Sequence, residues 1–247
     1  MKALLLNSGV GLRMGSYTEH APKCMCEIGL SQTIISWQLT QLVRCGIKDV
    51  VITTGPFQDR LKAHIDELHL PLSITYVPNP LFRETNYIYS MHLAAPHLVG
   101  DVLLLHGDLV LEPAVYDMLF EKGPSVVAVD RGLPLPEKDF KAKLGDGLVR
   151  GIGLSFFGED CVACQPAYRL NEPDFNAWMA QIDDFCQRGE TNVYAENALN
   201  PILHDNVSLH PLDMGGRLCL EIDNEKDLRE VSARFVKTCG REAGGSQ

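Results

Sequence analysis

Three small groups of residues in this 247-residue chain have the types and spacing needed to handle phosphates. The first is the stretch Leu6-Asn7-Ser8-Gly9-Val10-Gly11-Leu12-Arg13-Met14-Gly15, which runs on to Pro22-Lys23. Glycines at Gly9 and Gly11 let the backbone approach a phosphate chain and aim N–H groups at it. Arg13 offers a bidentate fork for phosphate oxygens, and Lys23 offers a point charge for an α-phosphate. The second and third groups are acids: His106-Gly107-Asp108, and Glu221-Ile222-Asp223 followed by Asp227. Asp108 and Asp223 are the candidate ligands of Mg²⁺, which prefers carboxylates together with phosphate oxygens. Alone, Asp108 also reads as a turn or helix-cap residue and Asp223 as the cap of a helix opening at Glu225. Their position after a glycine loop favours the metal. Attack by a nucleophile that is already an anion needs no general base, so positioning and electrostatics suffice. His106 therefore reads as a structural or supporting contact.

The elements that must hold these groups follow from periodicity. Residues 2–7 read as a strand that delivers the glycine loop. Residues 34–45 carry helical apolar spacing (Ile35, Leu39, Leu42, Val43) up to Gly46. Strands follow at 49–54, 73–77, 101–106 and 125–129, with helices at 58–68 and 86–95. A hairpin is predicted over 141–153, turning at Gly145-Asp146-Gly147. An amphipathic helix over 172–187, a strand over 218–223 and a helix over 225–237 complete the chain, and the Pro-rich stretch 131–139 reads as a loop. This alternation predicts a single α/β domain, doubly wound about a mainly parallel mixed sheet, with a small β-rich insertion on the acceptor side. Residues 1–124 form the expected nucleotide-binding half, 125–239 the acceptor-binding half and closing helix, and 240–247 a frayed tail. Ligands of such sheets sit beyond the carboxyl ends of the strands, where the glycine loop and Asp108 both lie.

Composition limits the partners. The formal charge is −10, which gives no general attraction to nucleic acid or anionic membranes. No stretch spans a bilayer and the start lacks a signal-peptide pattern, so a cytoplasmic location is expected. The eight cysteines, including the lone Cys161-x-x-Cys164 pair, then read as buried thiols.

Taken together, the glycine loop with Arg13-Met14, the following Pro22-Lys23, the strand-ending Asp108 and the late Glu221-Ile222-Asp223 resemble the signature of nucleotidyltransferases with the GT-A-like fold. Asn7-Ser8 departs from the Ala-Ala or Ala-Gly usual there. The resemblance implies that Leu6, Asn7, Ser8, Gly9, Gly11 and Gly107 line the nucleotide, and that Arg13 and Lys23 are the catalytic cations. Thr85-Asn86-Tyr87-Ile88-Tyr89-Ser90-Met91 resembles a segment of the small-alcohol phosphate cytidylyltransferases and implies CTP, with Asn86 and Ser90 near the nucleotide. The same segment also reads as a plain helix start. Leu135-Pro136-Glu137-Lys138-Asp139-Phe140-Lys141 and Asn192-Val193-Tyr194-Ala195-Glu196-Asn197 resemble 2-aminoethylphosphonate cytidylyltransferases. Lys138, Asp139 and Glu196 are then the acceptor-binding candidates, although residues 137–141 also read as a solvated charged loop. The implied reaction joins CTP and a small phosphonate or phosphate acceptor and releases pyrophosphate, and a homodimer is compatible with it. Phosphocholine is the rival acceptor. A GT-A glycosyltransferase or a nucleotide-binding protein without turnover are the readings of another class.

Overall fold

The computed structural model describes residues 1–203 and 205–240; the expected frayed tail lies, except for Gly240, outside the described residues. The chain opens with β1 (Lys2–Asn7), whose Ala3–Leu6 run is buried on both faces, as a central parallel strand must be. The glycine loop then leads to a small ribbon of β2 (Glu27–Gly29) and β3 (Gln32–Thr33). Next comes α1 (Ile34–Arg44), started by a capping box between Thr33 and Ser36. β4 (Asp49–Thr54), α2 (Gln58–Asp66), β5 (Ser73–Pro78) and α3 (Tyr87–Ala94) follow as two strand–helix units. β6 (Val102–His106) ends at a tight turn into β7 (Leu109–Leu111), and Pro113 opens α4 (Pro113–Phe120), where its missing N–H costs nothing.

The second half holds β8 (Val126–Asp130), the hairpin of β9 (Lys141–Gly145) and β10 (Leu148–Gly153), and the long β11 (Cys161–Leu170). It continues through α5 (Glu172–Gln187), the short α6 (Glu196–Leu199), β12 (His210–Asp213), β13 (Cys219–Glu221) and α7 (Glu225–Cys239). One sheet runs β10-β9-β11-β6-β1-β4-β5, and β8 joins β11 and β12 off that path. β6, β1, β4 and β5 are mutually parallel, whereas β11 is antiparallel to β6, β8 and β9. The sheet is therefore mixed and continuous through both halves of the chain. β13 pairs with β7 apart from it.

The strands expected at 2–7 and 49–54, the 141–153 hairpin and the 172–187 helix are present with those bounds or within a residue of them. Residues 161–170, which contain Pro166, are assigned no element from the sequence. The structure makes them one strand, with a register shift between Cys164 and Tyr168 that absorbs the proline. The kink lets β11 pair with β9 at one end and with β6 at the other.

Successive side chains of β1 alternate between two cores. Ala3 and Leu5 pack with residues of α1, α2 and α4 on one face, and Leu4 and Leu6 with residues of α3 and α5 on the other. A third cluster joins Met14, Ile28, Val110, Ile222, Leu228 and Phe235, seating α7 under the glycine loop.

Candidate functional site

The glycine loop is held by its own local chemistry. Gly11 lies at φ 67°, the left-handed region that glycine enters without penalty, and starts a short helical stretch, Leu12–Thr18, that kinks at Gly15. The Thr18 hydroxyl donates to the Gly11 carbonyl at 2.9 Å, and the fully buried Met14 side chain anchors the turn in the third core cluster. With the ends tied, Gly9, Val10, Gly11, Leu12 and Arg13 face a cavity of about 700 Å³.

Asp108 is delivered by the β6–β7 turn. The buried Gln38 side chain of α1 donates to the carbonyls of His106 and Leu109, each at 2.9 Å, and so pins both sides of that turn. A Cβ on Gly107 would lie 2.8 Å from the Leu6 carbonyl oxygen and 1.8 Å from Asn7 Oδ1, so only glycine allows the β1 backbone and the turn to approach this closely. Asp223 is delivered by the start of α7. The cap is Asn224, which accepts from the N–H groups of Lys226 and Asp227, while Asp227 accepts from the N–H of Asp223. The Asp223 carboxylate is thus not spent on capping and turns to the cavity.

Between these acids lies Lys23. Its Nζ is 2.5 Å from Asp108 Oδ2 and 3.1 Å from Asp223 Oδ1, and Arg13 Nη2 is 2.9 Å from the same Asp223 oxygen. Burial alone would lower the Lys23 pKa, but the two carboxylates outweigh it and raise it. Burial would likewise raise that of Asp108, but the charges of Lys23 and His106 hold it below its ordinary value.

His106 and Glu221 complete this wall, with Nδ1 3.3 Å from Oε1. Burial, then repulsion from Asp108, push the Glu221 carboxyl up to about 7. Burial opposes protonation of His106, yet the bond to Glu221 raises its pKa overall. Ligand atoms of His106, Asp108 and Glu221 lie within 4.8 Å of one another, and Asp108 Oδ1 is buried with no hydrogen-bond partner. An oxygen-rich donor set with an unspent carboxylate oxygen fits a hard divalent cation such as Mg²⁺. Asp223 stands on the same wall but belongs to Lys23 and Arg13 rather than to this tight group. Glu221 had a signal in the sequence: in Glu-Ile-Asp, the first and third side chains share one side of an extended backbone.

The nucleotide candidates Leu6, Asn7, Gly9, Gly11, Asn86 and Gly107 all line the cavity, and Ser8 lines a smaller pocket beside it. Asn86 also caps α3, its side chain accepting from Tyr87 N–H. Ser90 is not on the wall. It is buried, 2.6 Å from the Ser8 hydroxyl, and accepts from Asn79 Nδ2, so it supports the loop from behind.

On the acceptor side, Lys138 and Asp139 line the same cavity. Burial, with Asp223 and Asp227 nearby, raises the Asp139 pKa. Glu196 is placed elsewhere: it is buried behind the wall and accepts from the hydroxyls of Tyr87 and Tyr168. Its short helix packs into the main core, which draws the side chain inward, so it does not line the cavity. What spacing could not reveal is an aromatic group. Tyr194 lies 5.1 Å from Phe140 edge-on and 5.9 Å from Tyr87, ring centre to ring centre, and all three line the cavity.

The arrangement can hold a polyphosphate between loop N–H groups, two cations and a metal-competent acid cluster, with a second small group at the aromatic end. Over 135 residues, 55% of this chain, the protein is 32% identical to CMP-5'-(3-aminopropyl)phosphonate synthase of Streptomyces rubellomurinus. Over 42% of the chain it is 29% identical to choline-phosphate cytidylyltransferase of Streptococcus pneumoniae. These alignments span 21% and 43% of the relatives' own lengths. In fold it is similar to CTP:phosphocholine cytidylyltransferase of Streptococcus pneumoniae, with a TM-score of 0.76 at 18% identity over 95% of this chain and 98% of that one. It is equally similar to the inositol-1-phosphate CTP transferase of T. maritima, with a TM-score of 0.76 at 19% identity over 96% of each chain. No helix among the described residues is long and apolar enough to cross a membrane. A family model described as the MobA-like NTP transferase domain matches residues 3–183, and the chain belongs to that family of nucleotide-transferring enzymes.

Proposed function

We propose that the protein transfers CMP from CTP to 2-aminoethylphosphonate, giving CMP-2-aminoethylphosphonate and pyrophosphate. The observation that carries this reading is that Lys138 and Asp139 share one cavity with Arg13, Lys23, Asp108 and Asp223. The similarity to an enzyme named for an aminoalkylphosphonate supports it. In this reading the glycine-loop N–H groups and Arg13 hold the triphosphate. Lys23 leaves the two carboxylates and meets the α-phosphate, where charge grows as a phosphonate oxygen attacks. The new bond joins that oxygen to the α-phosphorus, and the bond to the bridging oxygen of pyrophosphate breaks. Because the phosphonate is already an anion, no group must take its proton. Asp108, Glu221 and Asp223 would hold Mg²⁺, which supplies positive charge against the phosphate oxygens. Asp139 accepts hydrogen bonds from the primary ammonium, and Lys138 meets the phosphonate.

A second reading has a specific observation behind it. Tyr87, Phe140 and Tyr194 form an aromatic wall, and a trimethylammonium group, which has no N–H to donate, is recognised by such faces. Phosphocholine is therefore the runner-up acceptor. The test is pyrophosphate release over a matrix of four nucleotides and several acceptors, ending in direct competition between 2-aminoethylphosphonate and phosphocholine. Preference for CTP and the primary amine is expected. If phosphocholine wins, the aromatic wall rather than Asp139 sets specificity.

A further inference from the structure

The acceptor-side loop has very little of its own to hold it. It carries Lys138 and Asp139 to the cavity and leaves Phe140 packed at its root. At one end, Gly132 N–H donates to Asp130; at the other, the Phe140 carbonyl accepts from Cys164 N–H on β11. Between them, segment 133–139 has no regular structure. Among the described residues its one hydrogen bond is from Lys141 Nζ to the Pro136 carbonyl, at 2.7 Å.

Lys141 is unusual in its own right. It is the first residue of β9 and has no solvent-accessible surface, yet among the described residues no carboxylate comes within salt-bridge distance of it, and Asp139 acts on it through its charge alone. A buried ammonium without a paired carboxylate must be retained by other contacts. Here they are the Pro136 carbonyl and the face of Phe157, whose ring centre is 4.3 Å from Nζ, with the negative charge of Asp139 beyond. Phe157 belongs to the connection between β10 and β11, and its neighbour Phe156 packs over Gly151 and Gly153. Leu154, at the root of that connection, lines the cavity. One ammonium therefore bridges the 133–139 loop and the connection between β10 and β11.

We infer that Lys141 is a positioning residue that fixes the 133–139 loop through Pro136 and so sets affinity for the acceptor without touching it. This rests on the reading that the Lys138–Asp139 end of the cavity takes the acceptor. A hydrogen bond to a charged donor is among the stronger ones in a protein, and losing this one lets the loop sample positions in which Asp139 is withdrawn. Affinity falls in proportion to the fraction of protein whose loop is in place.

Lys141→Met, which keeps the stem and removes the charge, tests this. The expected result is a KM for the acceptor raised on the order of tenfold or more, with the KM for CTP unchanged. Backbone ¹⁵N order parameters should fall over 133–139 and stay unchanged over the glycine loop. Lys141→Arg, which can still donate to Pro136, should recover part of the affinity. Phe157→Leu should shift the acceptor KM in the same direction by less, and it keeps the test open if Lys141→Met fails to fold. Unchanged order parameters and unchanged acceptor KM in Lys141→Met would overturn the inference. So would equal rises in both KM values, which mark a general structural role. If the wild-type protein uses neither aminoalkylphosphonates nor phosphocholine, the proposed function fails by itself, and the order parameters still decide whether Lys141 tethers the loop.

Discussion

Lys23 occupies the space between two acids that a cation must neutralise, and replacing it separates its structural role from its chemical one. Lys23→Met removes an ammonium 2.5 Å from Asp108 and 3.1 Å from Asp223, in surroundings where the three side chains are 16–21% exposed. Breaking a fully buried pair by deleting one partner costs about 3–5 kcal/mol, because the other charge is left without compensation. These acids keep some water and Asp223 retains Arg13, so about 2–3 kcal/mol is the reasonable figure here. For a chain of this length that corresponds to a fall in Tm of roughly 5–10 °C in metal-free buffer. The same change removes a cation that competes for the acid cluster, so Mn²⁺ should bind the nucleotide-free variant about tenfold more tightly than the wild type. Added metal should then recover much of the lost Tm. Turnover should nevertheless fall, with kcat reduced more than CTP affinity, since charge at the α-phosphate grows toward the transition state. The assays are thermal unfolding with and without metal, Mn²⁺ binding without nucleotide, and steady-state pyrophosphate release. A variant as stable as the wild type in chelator, with unaltered Mn²⁺ affinity, would refute the view that Lys23 neutralises these acids. A change confined to acceptor affinity would refute its role at the triphosphate.

Asp108→Asn and Asp223→Asn should each lower Mg²⁺-supported turnover by several orders of magnitude while leaving a folded protein by circular dichroism. Near-normal activity of either would remove that residue from the proposed metal site. Asp139→Asn should raise the KM for 2-aminoethylphosphonate far more than that for CTP and narrow the gap to phosphocholine; a parallel loss for both acceptors would point to loop disorder instead. Glu196→Gln should act indirectly, loosening Tyr87 and Tyr168, so its effect should be reproduced by Tyr87→Phe in the same direction, and an effect absent from Tyr87→Phe would sever that link. In the metal-free protein, Glu221 titrates near 7 against an ordinary 4.5. The folded state thus holds more protons than the unfolded state between those values, and this residue's contribution to stability falls as pH rises across that window and stays level above it. Glu221→Gln should remove that decline in pH-resolved denaturant unfolding, and an unchanged profile would show that the carboxyl is not held protonated.

The amino-acid sequence by itself carried the alternation of strand and helix, and with it the α/β class. The apolar run 3–6 admits little but a buried central strand, and the 172–187 helix is set by its own amphipathic spacing and by Asn171 at its start. The sequence also pointed to the glycine loop, Asp108 and Asp223 as residues that follow strand ends, and all of them line one cavity, whereas the tight acid cluster of Asp108 with His106 and Glu221 came from the tertiary structure. It did not carry β11, whose proline contradicts a strand until the bulge and three partner strands are known. Nor did it carry the aromatic wall: Tyr87, Phe140 and Tyr194 lie on three distant segments, and only packing brings their rings within 6 Å of one another along the chain of contacts. Ser90 and Glu196 show the converse. Their motifs suggested ligand contact, but a polar side chain faces a ligand or the core according to which way its helix is packed. Tertiary structure turned both inward, where each is satisfied by neighbouring hydroxyl and amide groups that the linear sequence does not place beside it.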